Sequence, residues 1–198
     1  MDNKNFWNDV AKWGVLIGII MGSSRILEYG MMLSGDMTTY ALLTFEYVIV
    51  GLVYGVLLYY VTRSRAVEVY ESMGFSFGRT LNYAMLISIF AAVVVAAMSY
   101  VYINSVMGGF NAYMDQLVVS ITAVMDDAQM DNSTVEMYLK ALEDLQSAER
   151  TEPSIFSTLM SSISSYVIAG AGVGTIVALV IKRYIKKNLS NDEQQNNG

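Results

Sequence analysis

The sequence predicts an all-α integral membrane protein: a four-transmembrane-helix bundle with an extracytoplasmic helical hairpin between helices 3 and 4. Three observations predict it. More than half of the 198 residues are apolar, while only 15 % are charged, against about 25 % in soluble domains. The apolar residues fall in four blocks, each of the roughly 20 residues that a bilayer core of about 30 Å requires. Lysine and arginine gather on alternate flanks of those blocks, as orientation by positive cytoplasmic loops demands.

The first block runs over residues 13–33. A cleaved signal peptide would close on small residues; here Arg25 and Glu28 follow the apolar core and apolar residues resume, so an uncleaved helix is expected. The second block, 40–61, reads "YALLTFEYVIVGLVYGVLLYYV". The third spans 80–103 around "LISIFAAVVVAAMSYVYI", and the fourth spans 162–181, "SISSYVIAGAGVGTIVALVI". Trp7, Trp13, Tyr40, Tyr59, Tyr60, Tyr100, Tyr102 and Tyr184 lie near block ends, where amphipathic rings favour the interface.

Lys4 and Lys12 precede the first helix, and Arg63, Arg65 and Arg79 lie between the second and third. Lys182, Arg183, Lys186 and Lys187 follow the fourth. The other two connections carry only Lys140 and Arg150. Both termini are therefore expected in the cytoplasm. Residues 1–187 form one membrane domain, and 188–198 read as a disordered polar tail.

The long connection, 104–154, holds nine acidic and two basic residues, a net −7 against −6 for the whole chain. Phe110, Met114, Leu117, Val118, Ile121 and Val124 share one helical face. A second helix is expected from the capping box Ser133 and Glu136, with Val135, Leu139, Leu142 and Leu145 at helical spacing. Pro153 disfavours helix just before it. The hairpin is either a spacer packed on the membrane or on itself, or a docking site for a partner or cationic ligand.

The absence of cysteine removes disulfides, thiolate metal sites and cysteine nucleophiles. The absence of histidine removes the commonest general base and metal ligand. No catalytic constellation, cofactor site or metal site is expected, and no segment is basic enough for nucleic acid. The expected partners are the lipid bilayer and either a second copy of the chain or another membrane protein.

Helices in lipid associate through close backbone approach. Gly14, Gly18 and Gly22 supply a small-residue face on the first helix, Gly51 and Gly55 on the second, Ala92 and Ala96 on the third. Gly170, Gly174 and Ala178 do so on the fourth. Such faces pack either within the bundle or against another copy.

Three ionisable groups fall inside the apolar blocks. An ion at mid-membrane costs about 2.5–3.5 kcal/mol on insertion scales, whereas each good apolar residue returns about 0.3–0.6. At 1.5 Å per residue, Glu28 lies roughly 7 Å, Arg25 roughly 12 Å and Glu46 roughly 9 Å inside the outer ends of their helices. Arg25 and Glu28 share a face with the glycines, so Arg25 is expected to point into the bundle. An Arg25–Glu28–Glu46 cluster is expected near Ser23, Ser24, Tyr29 and Tyr47. Glu46 lies roughly 140–180° around its helix from Gly51 and Gly55, so a glycine face turned to the first helix would send it elsewhere. The cluster either fixes helix register or forms a polar site for an ion, proton or small polar molecule. Arg79, with Asn82, reads as an interfacial anchor.

The stretch "MGFSFGRTLNYAMLISIFAAVVVAAMSYVYI" and the later "EPSIFSTLMSSISSYVIAGAGVGTIVALVIKR" resemble the Bacteroidetes membrane proteins grouped as domain of unknown function 4199. The resemblance covers residues 7–187. It implies a four-helix protein of the cytoplasmic membrane and supplies no activity and no catalytic residues. The function expected is a structural or partner-binding membrane component. The alternative is a small oligomeric transporter or channel using the Arg25, Glu28 and Glu46 site.

Overall fold

The computed structural model describes residues 3–73, 76–127, 132–147 and 152–196. Its elements are α1 (Asn3–Met32), α2 (Met37–Met73), α3 (Phe77–Val101), α4 (Phe110–Asp127), α5 (Asn132–Ser147) and α6 (Ile155–Asn196). A wide π turn, Tyr102–Val106, extends α3, and Gly108 and Gly109 then reverse the chain at φ 79° and 107°. Among the described residues every regular element is helical. Four helices, α1, α2, α3 and α6, are long and apolar enough to cross a membrane.

The four helices match the four apolar blocks, but each is longer than its block. α2 runs on from Val61 to Met73 because Arg63, Arg65, Ala66 and Glu68 are good helix formers and no glycine or proline intervenes before Gly74. With no glycine or proline between Ile181 and Gly198, α6 likewise continues as helix to Asn196, through the segment expected as a disordered tail. Hydropathy marks where a helix leaves the apolar layer; only a breaker or a cap marks where it stops.

α3 is the central helix, packed along α1 on one side and α6 on the other, with α2 more lightly held by all three. Val10, Ile17 and Met21 of α1 meet Ile87, Ala91 and Val95 of α3, with Tyr54 and Leu58 of α2 closing the core. The small residues explain these pairings. A Cβ on Gly18 would stand 2.6 Å from Val94 Cβ and 2.9 Å from the Ala91 carbonyl oxygen; Gly14 and Gly22 are equally tight against Phe90 and Met98 of α3. Gly170 and Gly174 of α6 face Ala84, Ser88 and Leu81 of α3, and Ala92, Ala96 and Ala178 are buried. Gly51 and Gly55 depart from the expectation: a Cβ built on either would meet no atom within 4 Å. α2 turns Tyr54, Leu58 and Val61 inward instead, because bulky side chains fill the wider gap that a lightly held helix leaves.

The antiparallel succession gathers the start of α1, the end of α2 and the start of α3 at one end of the bundle. Phe6 touches Tyr83, and Tyr83 donates to Asp9 at 2.5 Å. Ala66 packs on Val177 and Ile181 of α6 at the same end. At the opposite end, α4 folds over the α1–α2 turn. Ser120 donates to the Met32 carbonyl at 2.7 Å and accepts the Gly35 N–H at 3.0 Å. Asp36 caps α2 by accepting the Thr39 N–H at 2.8 Å. That hydrogen bond and the one from the Thr39 hydroxyl hold its carboxyl below the ordinary value.

α4 and α5 touch each other. On α4, the predicted apolar face holds Ile121 and Val124 buried and adds Tyr113 and Ser120. On α5, Val135 and Leu142 are half-buried as expected, but Leu139 is exposed and Tyr138 takes its place. The Ser133 side chain of the predicted capping box, and Leu145, lie outside the described side chains; Ser133 falls within α5, which begins at Asn132.

Candidate functional site

The three predicted ionisable residues come together in one groove between α1, α2 and α6. A cavity of about 270 Å³ is lined by Arg25, Glu28, Ser24, Glu46, Tyr47 and Tyr54, with Ser165 and Tyr166 on the far wall. Arg25 Nη1 donates to both carboxylate oxygens of Glu28, one turn along α1. Tyr47 of α2 donates to the same carboxylate. Glu46 accepts a hydrogen bond from Ser24 and not from Arg25. The cluster is thus two hydrogen-bonded groups, Ser24–Glu46 and Arg25–Glu28–Tyr47, each reaching across the α1–α2 seam, rather than one closed triad. Tyr54 forms the floor, donating to Ser88 of α3 at 2.7 Å, while Ser88 returns its proton to the Ala84 carbonyl.

Burial reverses one expectation. The Glu28 side chain is 5 % exposed, whereas that of Arg25 is 43 % exposed. The acid points into the bundle and the guanidinium stands at the mouth. The cause is the glycine face: α3 lies so close to α1 that a long side chain has no room on that seam, and Arg25 is deflected to its edge. It rests there over the Tyr29 ring, 5.2 Å from the centroid, a geometry that favours a cation. Tyr29 in turn stacks on Tyr102 and meets Tyr113 edge-on at 5.5 Å. Burial pushes the Tyr113 hydroxyl up to about 12.

The Glu46 difficulty is also resolved. Gly51 and Gly55 do not set a close helix contact, and α2 turns Glu46 and Tyr47 toward Ser24 and Glu28, with Gly51 on the wall of the same cavity.

A second cavity, of about 570 Å³, opens on the other side of Arg25. It is lined by Tyr29 and Ser99 together with Ser157, Thr158, Ser161, Ser162 and Ser165 of α6. Arg25, Ser165 and Tyr166 belong to both cavities. The hydroxyl row was readable in principle: "STLMSSISS" places a serine or threonine at almost every turn of one helix face. Ser23 is exposed and lines neither cavity. Arg79 and Asn82 are exposed at the opposite end, where both line a separate pocket. Among the described residues no group of three or more acidic side chains is placed to hold a metal ion.

Four apolar spans around a charged, hydroxyl-lined groove define a helical membrane protein with a polar site inside its bundle. The chain belongs to the family described as "Protein of unknown function (DUF4199)", which matches residues 12–183. No curated protein and no solved structure matches it.

Proposed function

We propose that this protein is a non-catalytic, partner-binding component of a bacterial inner membrane, in a Bacteroidetes cell as the family resemblance implies. Its termini are cytoplasmic and its α4–α5 segment is extracytoplasmic. The sidedness is supported by the charge pattern: Arg63, Arg65, Arg79, Lys182 and Arg183 belong to one end, and the acidic residues of 104–154 to the other. The partner-binding role is carried by one observation. Arg25 is an ion within an apolar span whose side chain remains 43 % exposed. An exposed intramembrane charge is costly unless a further polar group or water covers it. The lightly held α2, with its open Gly51 and Gly55, leaves room beside the groove for another helix.

Cross-linking and affinity capture from gently solubilised native membranes tests this reading. A partner, whether a second copy or another membrane protein, is expected with the wild-type chain. It is expected to be lost from the double variant Arg25→Leu, Glu28→Leu at equal protein stability. An unchanged set of partners rejects the proposal.

The serine-lined cavity favours a second reading, in which a small polar solute enters from the outer end and meets Arg25. Solute flux in reconstituted vesicles that is abolished by Arg25→Leu supports it; flux that survives the change rejects this site.

A further inference from the structure

At the end of the bundle opposite Arg25 lies a pocket of about 260 Å³ between α1, α2 and α3. Its polar lining holds the donors Thr62, Arg65, Arg79 and Asn82, with Ser76 as the N-cap of α3; the Thr80 hydroxyl donates to the Ser76 carbonyl. Two polar atoms there are buried without a hydrogen-bond partner, Thr62 Oγ1 and Arg65 Nε. Thr62 is 0 % exposed. A threonine inside a helix ordinarily satisfies its hydroxyl on a carbonyl one turn back, and an unsatisfied buried group is rare enough to require an explanation. The Arg65 side chain is only 15 % exposed, and its Nη1 is held by Glu68 at 2.7 Å, so its Nε is fixed in place.

Among the described residues, Arg65 and Arg79 line the pocket and no acidic residue does. Of the described acids close by, Glu68 is paired with Arg65 and Asp9 accepts from the Tyr83 hydroxyl. α3 begins at Phe77 with Ser76 as its N-cap on the pocket wall; Ser76 takes the Arg79 and Thr80 N–H groups, and the helix start adds partial positive charge. A ligand for this site is an anion rich in acceptors, and phosphate has that chemistry. The remaining lining, Phe6, Ala66, Val69 and Leu86, is apolar, and Ala66 and Val69 lie within the last turns of a membrane span. A free anion has no use for that wall, whereas a lipid presents a phosphate and an apolar chain together.

We propose that this pocket binds the phosphate of an anionic phospholipid, seated between Arg65 and Arg79 with Thr62 Oγ1 and Arg65 Nε as its buried contacts. Basic pockets between spans at the membrane surface are suited to such head groups. The site is separate from the Arg25 groove and stands or falls independently of the partner-binding reading.

The test uses the full chain, delipidated in mild detergent, with native mass spectrometry and thermal unfolding against phosphatidylglycerol, phosphatidylcholine and inorganic phosphate. Phosphatidylglycerol is expected to remain bound and to raise the unfolding temperature, with little effect of the other two. Thr62→Val keeps the shape, removes an oxygen without a protein partner, and is expected to fold as well as wild type without lipid. It should bind phosphatidylglycerol about 3- to 10-fold more weakly, the effect of one lost hydrogen bond. Arg79→Gln, at an exposed position, should weaken the same lipid and leave phosphatidylcholine unaffected. Equal binding of both lipids overturns the proposal, since contact is then with chains alone. An equal response to inorganic phosphate assigns the site to a free anion and overturns the lipid. Undiminished phosphatidylglycerol binding by both variants removes it from this pocket.

Discussion

The Arg25–Glu28 pair makes a quantitative prediction through a double-mutant cycle. Glu28→Leu leaves Arg25 as an ion without its acid. Arg25 lies seven residues from the end of α1, about 10 Å along the axis. At the centre of a span a lone arginine costs about 2.5–3.5 kcal/mol. Because the side chain is 43 % exposed and off-centre, the cost should fall to about 1.5–2.5 kcal/mol. Arg25→Leu leaves Glu28, which is buried but keeps the hydroxyl of Tyr47. That loss should be smaller, about 1–2 kcal/mol. The double variant removes both charges, and replacing a buried ion pair by apolar residues is often neutral or stabilising. It should lie within about 1 kcal/mol of wild type, and a neutral double variant gives a coupling energy of about 2.5–4.5 kcal/mol. Reversible unfolding of the four proteins in mixed micelles measures all the terms. Additive single losses would refute the reasoning, because each charge would then be solvated independently of the other.

The glycines offer a contrast on two helices. Gly18→Ala drives a methyl into Val94 and the Ala91 backbone and should destabilise by about 1–3 kcal/mol, whereas Gly51→Ala meets nothing and should be neutral or stabilising by up to about 1 kcal/mol, read in the same unfolding assay. Ser120→Ala removes the oxygen that joins α4 to the Met32 carbonyl and the Gly35 N–H; about 1–2 kcal/mol should be lost, with faster amide exchange at Gly35. Tyr113 should titrate near pH 12 in the folded protein against its ordinary value of 10.0. Its neutral form is the one that folding favours, so this contribution is full below about pH 10 and is lost as pH rises through 12. Ultraviolet titration of wild type against Tyr113→Phe measures the shift, and a difference spectrum centred at pH 10 would contradict its burial.

Much of the architecture was legible in the chain, for identifiable reasons. Apolar blocks of membrane length located α1, α2, α3 and α6, since burial in lipid is read residue by residue. The spacing of Gly14, Gly18 and Gly22 announced a close helix contact, and the three-residue step from Arg25 to Glu28 announced their pairing. These are local properties of a helix, and periodicity carries them.

Other features were decided only when the helices were assembled. Nothing in α1 says that its glycines would meet α3 and not α2, yet that choice turned Glu28 inward and pushed Arg25 to the mouth of the groove. Nothing in α2 says that Gly51 and Gly55 would be left open, or that Glu46 would reach Ser24. The Thr62 hydroxyl looks ordinary in sequence; only packing of α1, α2 and α3 around it makes it a buried atom without a partner. A sequence determines which face of each helix is small, polar or apolar. The rotation of each helix about its axis is a property of the whole bundle, because each face must be matched to the faces of several neighbours at once.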